Sequence, residues 1–258
     1  MKESFVTEIG EYKCNVRRIY RSLEEQQQDE GVTDHQSYNS PWAVTMCAYH
    51  IEHAMSETDL LALENLRSRI PLDLSRPTCP RRFISEKHVY CNSGAVTSDD
   101  ASTKSMHKED GWVGRLIDAN LERWNLLGSK GKHFQSLPWF RFLEYSKGGN
   151  MAIHSDGSNV HPGTGERSVA TMMIYLSTCD KGGETTLYHK VKTDGNPSSK
   201  YHLVPLEHIA PTRNTVLIFP HSWQHSGDPV NSESTQKIAL RIDLCLAPPR
   251  SMADTIIV

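Results

Sequence analysis

From Trp139 to Leu246 the chain reads as short apolar runs broken by Gly and Pro. That rhythm limits the fold more than any other feature. Trp139-Phe-Arg-Phe-Leu-Glu-Tyr145 is an aromatic, alternating run. Gly148-Gly149 turns it into Met151-Ala-Ile-His154. Ser168 to Ser177 is a continuous apolar run, and Gly182-Gly183 turns it into Glu184 to Tyr188. Thr215 to Phe219 and Lys237 to Leu246 close the series. Runs of four to eight residues rich in β-branched and aromatic side chains, bounded by turn residues, predict strands. Several such strands in succession predict a β-barrel or sandwich. The expectation is a mainly β core over residues 136–248, with flanking helices supplied by residues 1–135 in a single domain.

The helical signals lie before residue 135. Ser56-Glu-Thr-Asp59 resembles a capping box, followed by Leu60, Leu63 and Leu66 at helical spacing. Val113, Leu116, Ile117, Leu121 and Trp124 form one apolar stripe after Glu109-Asp-Gly. Residues Asn15 to Gln28 read as a further helix with charged faces. These helices are expected to buttress the outer sheet. Two long Ser-, Pro- and Asn-rich stretches, Gln36–Trp42 and Arg76–Asp100, read as loops or lids, with Asp99–Lys108 the most mobile part.

Within this frame His154-Ser-Asp156 stands out. Residues i and i+2 of a strand face the same way, so an imidazole and a carboxylate are aimed at one point. A second histidine from a distant strand would complete two nitrogens and one oxygen on one face of a metal, the facial arrangement that suits Fe(II) and leaves positions open. His221 and His225 both follow the Thr215–Phe219 run. Either could be that second histidine, His221 sitting directly after the Phe219-Pro220 turn and His225 before Ser-Gly-Asp-Pro-Val. His161 lies in a Pro/Gly loop and reads as a solvated or substrate-side residue.

The stretch from Trp139 to Leu246 resembles the Fe(II)/2-oxoglutarate-dependent dioxygenases, in their prolyl-4-hydroxylase-like branch. The resemblance is carried by Tyr145-Ser-Lys-Gly-Gly, His154-Ser-Asp156-Gly, Ile174-Tyr175-Leu176, Gly182-Gly-Glu-Thr-Thr, His225-Ser-Gly-Asp-Pro-Val and Leu240-Arg241-Ile-Asp243, in that order. It implies a double-stranded β-helix, a jelly-roll-like barrel. It implies His154, Asp156 and His225 as catalytic metal ligands for Fe(II), with 2-oxoglutarate as co-substrate and ascorbate as an accessory reductant. The implied reaction consumes O2, releases succinate and CO2, and hydroxylates a C–H bond of a small-molecule or peptidyl substrate.

The distal carboxylate of 2-oxoglutarate needs a buried cation. Lys237 and Arg241 share one face of the last strand by the period of two. Lys237 matches the Gly-x-Lys position of prolyl hydroxylases, although two extra residues precede it. Arg241 matches the Leu-Arg-x-Asp ending of other relatives. Arg grips a carboxylate in two places and keeps its charge when buried, which weights the choice toward Arg241. Tyr175 matches a tyrosine that donates to the same carboxylate, and Tyr145 another on the co-substrate side. Thr185 and Thr186 read as strand residues rather than site residues. Trp223 is a candidate for the pocket wall.

A net charge of −3 gives no basic field for nucleic acid, and no apolar run reaches membrane-spanning length. Six scattered cysteines without metal-ligand spacing suit reduced thiols in a cytoplasmic setting. Two other functions compete with the oxygenase: an inactive barrel serving as a binding module, and an AlkB-like nucleic-acid demethylase, for which Arg81-Arg82 is the one basic hint.

Overall fold

The computed structural model describes residues 2–9, 12–20, 47–70, 81–85, 89–90, 112–126, 133–161, 165–192 and 201–247. In chain order its elements are β1 (Lys2–Ile9), β2 (Tyr12–Ile19), β3 (Ala48–Glu52), α1 (Glu57–Arg69), β4 (Arg81–Ser85), β5 (Val89–Tyr90), α2 (Trp112–Trp124), β6 (His133–Tyr145), β7 (Met151–His154), β8 (Ala170–Tyr175), β9 (Thr185–Lys192), β10 (Tyr201–Ile209), β11 (Thr215–Pro220), β12 (His225–Gly227) and β13 (Lys237–Ala247).

The strands form two sheets with antiparallel neighbours. One runs β1-β2-β3-β11-β8-β13-β6-β4-β5, the other β10-β9-β12-β7. From β6 to β13 the chain passes back and forth between them, staying in one sheet only at the β9–β10 pair: β6, β8, β11 and β13 lie in the large sheet, β7, β9, β10 and β12 in the small one. This is the double-stranded β-helix. The isolated Gly182↔Val230 bridge ties the turn before β9 to the segment after β12. Gly182 has φ +73°, and a Cβ there would lie 2.3 Å from the Pro229 carbonyl. Only glycine fits this approach.

Strands β8 and β11 and most of β13 are buried on both faces, and the period of two sorts their residues. Ile174, Val216, Ile218, Leu240, Ile242 and Leu244 face α1 and α2, where they meet Leu60, Leu63, Leu66, Val113, Ile117, Leu121 and Trp124. Met173, Tyr175, Leu217, Phe219 and Ala239 face the barrel interior. The helices thus pack on the outer face of the large sheet, as expected. Burial on both faces explains why β8 and β11 read as continuous apolar runs.

Ser56 is the N-cap of α1: its hydroxyl accepts from the Asp59 amide at 3.1 Å. Two expectations are corrected. Asn15 to Ile19 is not helical but belongs to β2, paired along β3. Cys14 and Val16 are buried while Asn15 is exposed, so tertiary pairing outweighs a charged local sequence. The Arg76–Asp100 stretch is not all loop, since Arg81–Ser85 pairs with β6 and with β5. Strand β10 has no counterpart among the expected strands, because its first five residues are exposed and carry no alternation. Residues 20–28 apart from Tyr20, the Gln36–Trp42 stretch and Asp99–Lys108 lie outside the described residues. Among the described residues no helix is long and apolar enough to cross a membrane, and Cys14, Cys47, Cys179 and Cys245 form no disulfide.

Phe142 is fully buried between the large sheet and the helices. Phe142→Ala should therefore destabilise the fold by about 3–5 kcal/mol, the usual cost of a large aromatic-to-alanine core truncation. The denaturation midpoint checks this; a change within about 0.5 kcal/mol, typical of surface sites, would mean that the helices are not fixed to the sheet.

Candidate metal centre

The small sheet assembles the site. His225 opens β12 directly opposite His154 at the end of β7. The two rings stand 4.2 Å apart, centroid to centroid. Asp156 follows two residues after β7, and its amide donates to the His221 carbonyl at 3.1 Å. The carboxylate turns inward to meet both imidazoles: His154 Nε2 is 3.5 Å from Oδ1, and His225 Nε2 is 3.6 Å from Oδ2. All three donor atoms lie within 4.8 Å of one another.

The backbone sets both imidazoles for metal binding. His154 Nδ1 is 2.8 Å from the Ala152 carbonyl, and His225 Nδ1 is 3.1 Å from the Trp223 carbonyl. A carbonyl oxygen only accepts, so each Nδ1 carries a proton and each Nε2 is the nitrogen aimed at Asp156. Burial pushes the His225 imidazole down to about 4, so it is neutral at physiological pH. The bond with Asp156 raises His154. Burial alone would raise Asp156, but His154, Arg241, His225 and Thr171 outweigh it and hold the carboxyl well below the usual range. The set is two nitrogens and one anionic oxygen, partly dehydrated and fixed from behind. It fits a divalent first-row metal such as Fe(II).

Further contacts lock the carboxylate. Thr171 Oγ1 donates to Oδ2 at 2.5 Å. Arg241 Nη2 lies 2.8 Å from Oδ1 and 3.2 Å from Asp243 Oδ1. Thr171 is a site residue that the sequence motifs do not single out. It shares its face of β8 with Tyr175 by the period of two, so the signal lies in the run itself.

The two candidate cations part company. Arg241 sits against Asp156 and Asp243. Lys237 is buried to 2 % exposure inside the barrel. Its Nζ donates to Thr185 Oγ1 at 3.0 Å and stands 5.3 and 5.8 Å from the ring centroids of Tyr145 and Tyr175. The Tyr175 hydroxyl donates to the same Thr185 oxygen at 2.8 Å. Burial pushes that phenol well above its usual range, so it remains a donor. Thr185, expected to be an ordinary strand residue, therefore joins Lys237 to Tyr175. A cavity of about 50 Å³ connects this group to the triad, with Leu143, Met173 and Phe219 among its walls.

His221 is buried with neither ring nitrogen hydrogen-bonded. It lies 3.8 Å from Asp243 and outside the ligand cluster. The His161 amide donates to the Glu166 carbonyl in the loop. Trp223 supplies its carbonyl to His225 rather than a wall.

Residues 140–242 match the family described as the 2OG-Fe(II) oxygenase superfamily. No curated protein sequence matches the chain. Similar solved structures include a 2OG-Fe(II) oxygenase family oxidoreductase from Burkholderia pseudomallei, at 14% identity and TM-score 0.49, covering 75% of this chain and 81% of that one. A prolyl-4-hydroxylase from Pseudomonas putida has 14% identity and TM-score 0.44, covering 78% and 93%. HygX from Streptomyces hygroscopicus, solved with nickel, 2-oxoglutarate and hygromycin B, has 10% identity and TM-score 0.47, covering 77% and 82%.

Asp156→Ala should weaken Mn(II) uptake by more than about a hundredfold, since loss of even a residue that only supports a ligand typically costs roughly 10–100-fold. His221→Ala should leave uptake within about threefold of the parent protein. Titration followed by the signal of free Mn(II) measures both. Loss of binding in the His221 variant with retention in the Asp156 variant would refute the ligand set.

Proposed function

We propose that this protein, which over residues 140–242 belongs to the 2OG-Fe(II) oxygenase superfamily, hydroxylates a C–H bond of a small-molecule or peptidyl substrate. Fe(II) held by His154, Asp156 and His225 would supply O2 activation coupled to oxidative decarboxylation of 2-oxoglutarate to succinate and CO2. The observation that carries this reading is the pairing, inside one barrel, of a convergent His-Asp-His set with a buried ammonium.

The chain's own residues then have separable tasks. His154 and His225 present Nε2 because the Ala152 and Trp223 carbonyls take their other ring protons. Thr171 and Arg241 keep the Asp156 carboxylate ionised and oriented. Lys237 is assigned the distal carboxylate of 2-oxoglutarate. Burying an ammonium is costly unless an anion and hydrogen bonds compensate it, and a carboxylate reaching the Lys237–Thr185–Tyr175 group would meet a charge and hydroxyl donors. Arg241, the favoured cation on sequence grounds, is assigned a different task, because its guanidinium is already engaged by the ligand carboxylate. Leu143, Met173 and Phe219 give the channel between the two ends an apolar lining, which keeps water from the reacting centre.

Removing a buried cation that pairs with a carboxylate costs roughly 3–5 kcal/mol. Lys237→Met should therefore raise the 2-oxoglutarate requirement by several hundredfold or more without loss of Mn(II) binding. Succinate release with Fe(II), O2 and 2-oxoglutarate, together with metal titration, measures both. An unchanged requirement would overturn the Lys237 assignment. Absence of any succinate release from the metal-loaded parent protein would favour a barrel that only binds.

A further inference from the structure

The strands that carry His225 and Thr185 have a second face. Where β12 pairs with β9, Ser226 lies opposite Thr186, and where β10 pairs with β9, His208 lies opposite Thr186 on the other side. Successive side chains of a strand point to opposite faces. His225 and Thr185 turn into the barrel, toward Asp156 and Lys237. Ser226, Thr186 and His208 therefore form one polar row on the back of that wall. Thr186 and Ser226 are nonetheless buried, and buried hydroxyls need partners.

Those partners converge on Asp228. A carboxylate only accepts. Ser226 Oγ donates to its Oδ1 at 2.7 Å, and Thr186 Oγ1 donates to its Oδ2 at 2.5 Å. Each hydroxyl has then committed its single proton and is left as an acceptor. The Tyr188 hydroxyl therefore donates to Ser226 Oγ at 3.1 Å, and His208 Nδ1 donates to Thr186 Oγ1 at 2.8 Å. Side chains from β9, β10 and β12 thus feed one carboxylate. The Asp228 amide donates to the Glu184 carbonyl at 2.8 Å, which ties that carboxylate to the residue before β9.

Strand β12 needs such a clamp. It has three residues, and its ladder with β7 shifts register between His225 and Gly227. So short a ladder resists local opening poorly, yet its first residue is a metal ligand under the function proposed above. We propose that Asp228 is a positioning residue for the metal centre. By holding Ser226 and Thr186 from behind, it fixes their chain neighbours His225 and Thr185 at the front of the same wall. Bonds from hydroxyls on two adjacent strands to one carboxylate are charge-assisted and directional. They oppose the sliding of β12 along β9, the motion that would withdraw His225 from Asp156. The inference rests on the metal reading for its consequence, but the clamp itself acts in the metal-free chain.

Native-state hydrogen exchange of the full, metal-free chain reads the clamp directly. Asp228→Asn keeps the shape but offers a single acceptor oxygen, so one of the two hydroxyl bonds is lost. The amides of His225, Ser226 and Gly227 should then exchange about tenfold faster or more, the worth of one charge-assisted hydrogen bond. Those of β8 and β11 should stay within about threefold of the parent protein, because a general loss of stability would speed the whole core together. Mn(II) affinity should fall about tenfold or more in the same variant. Ser226→Ala, which cuts one arm alone, should show the same pattern, and Asp228→Glu, which restores both acceptors, should recover part of each effect. Asp180→Asn is the control: Asp180 takes a hydroxyl bond from Thr235 in the loop before β9, and its loss should leave β12 exchange and Mn(II) affinity within about threefold. Unchanged β12 exchange in Asp228→Asn, or an equal rise across β8, β11 and β12, would overturn the proposal, as would the same response from Asp180→Asn. Faster β12 exchange with unaltered Mn(II) affinity would overturn the positioning role. Failure of the parent protein to bind Mn(II) would count against the metal reading, and the exchange pattern would still decide whether Asp228 clamps β12.

Discussion

The candidate metal centre depends on the pairing of β12 with β7 in one register. That pairing sets His225 directly across from His154, and the two residues are 71 positions apart in the chain. A slip of one residue in either strand would turn an imidazole to the opposite face. The large sheet protects the register: burial on both faces fixes β8, β11 and most of β13, and the glycine turn at Gly182 anchors β9 against the segment after β12. The stability of the core and the geometry of the site are therefore one problem. Short strand ends carry the donors, while apolar residues on the longer strands hold those ends in place.

A second layer of charge surrounds the first. Asp156 is flanked by Thr171 and Arg241, and Arg241 by Asp243, which is shared with Arg141 and Asn159. Lys237 sits apart, with Thr185 and two tyrosine rings. Lys237 is the cation proposed for the distal carboxylate of the co-substrate, whereas Arg241 is engaged by Asp156 and Asp243.

Much of this was legible in the sequence, and the reasons are physical. The apolar runs of β8 and β11 announce strands buried on both faces, and Ser56 with its leucine stripe announces a capped helix. His154 and Asp156 are adjacent enough for local geometry to pair them. His225, singled out through the Ser-Gly-Asp-Pro-Val segment that follows it, is the histidine that the fold brings beside His154 and Asp156. Other features depend on tertiary context. Strand β2 carries charged side chains that read as a helix surface until β3 pairs with it. Strand β10 is too exposed to alternate. The divergent fates of Lys237 and Arg241 were not readable, because residues on one face of one strand look equivalent. Only the barrel decides that one reaches the Thr185 hydroxyl and the other the Asp156 carboxylate.

If His154, Asp156 and His225 hold a metal on which 2-oxoglutarate chelates, the visible absorption spectrum of the protein with Fe(II) and 2-oxoglutarate under anaerobic conditions should show it. A 2-oxo acid bound through its carboxylate and keto oxygen to Fe(II) produces a charge-transfer band that neither component has alone. This band should appear in the parent protein, saturate at one Fe(II) per chain, and be absent in Asp156→Ala. A protein that binds Fe(II) and 2-oxoglutarate but shows no such band, or one whose band survives in Asp156→Ala, would contradict the assignment.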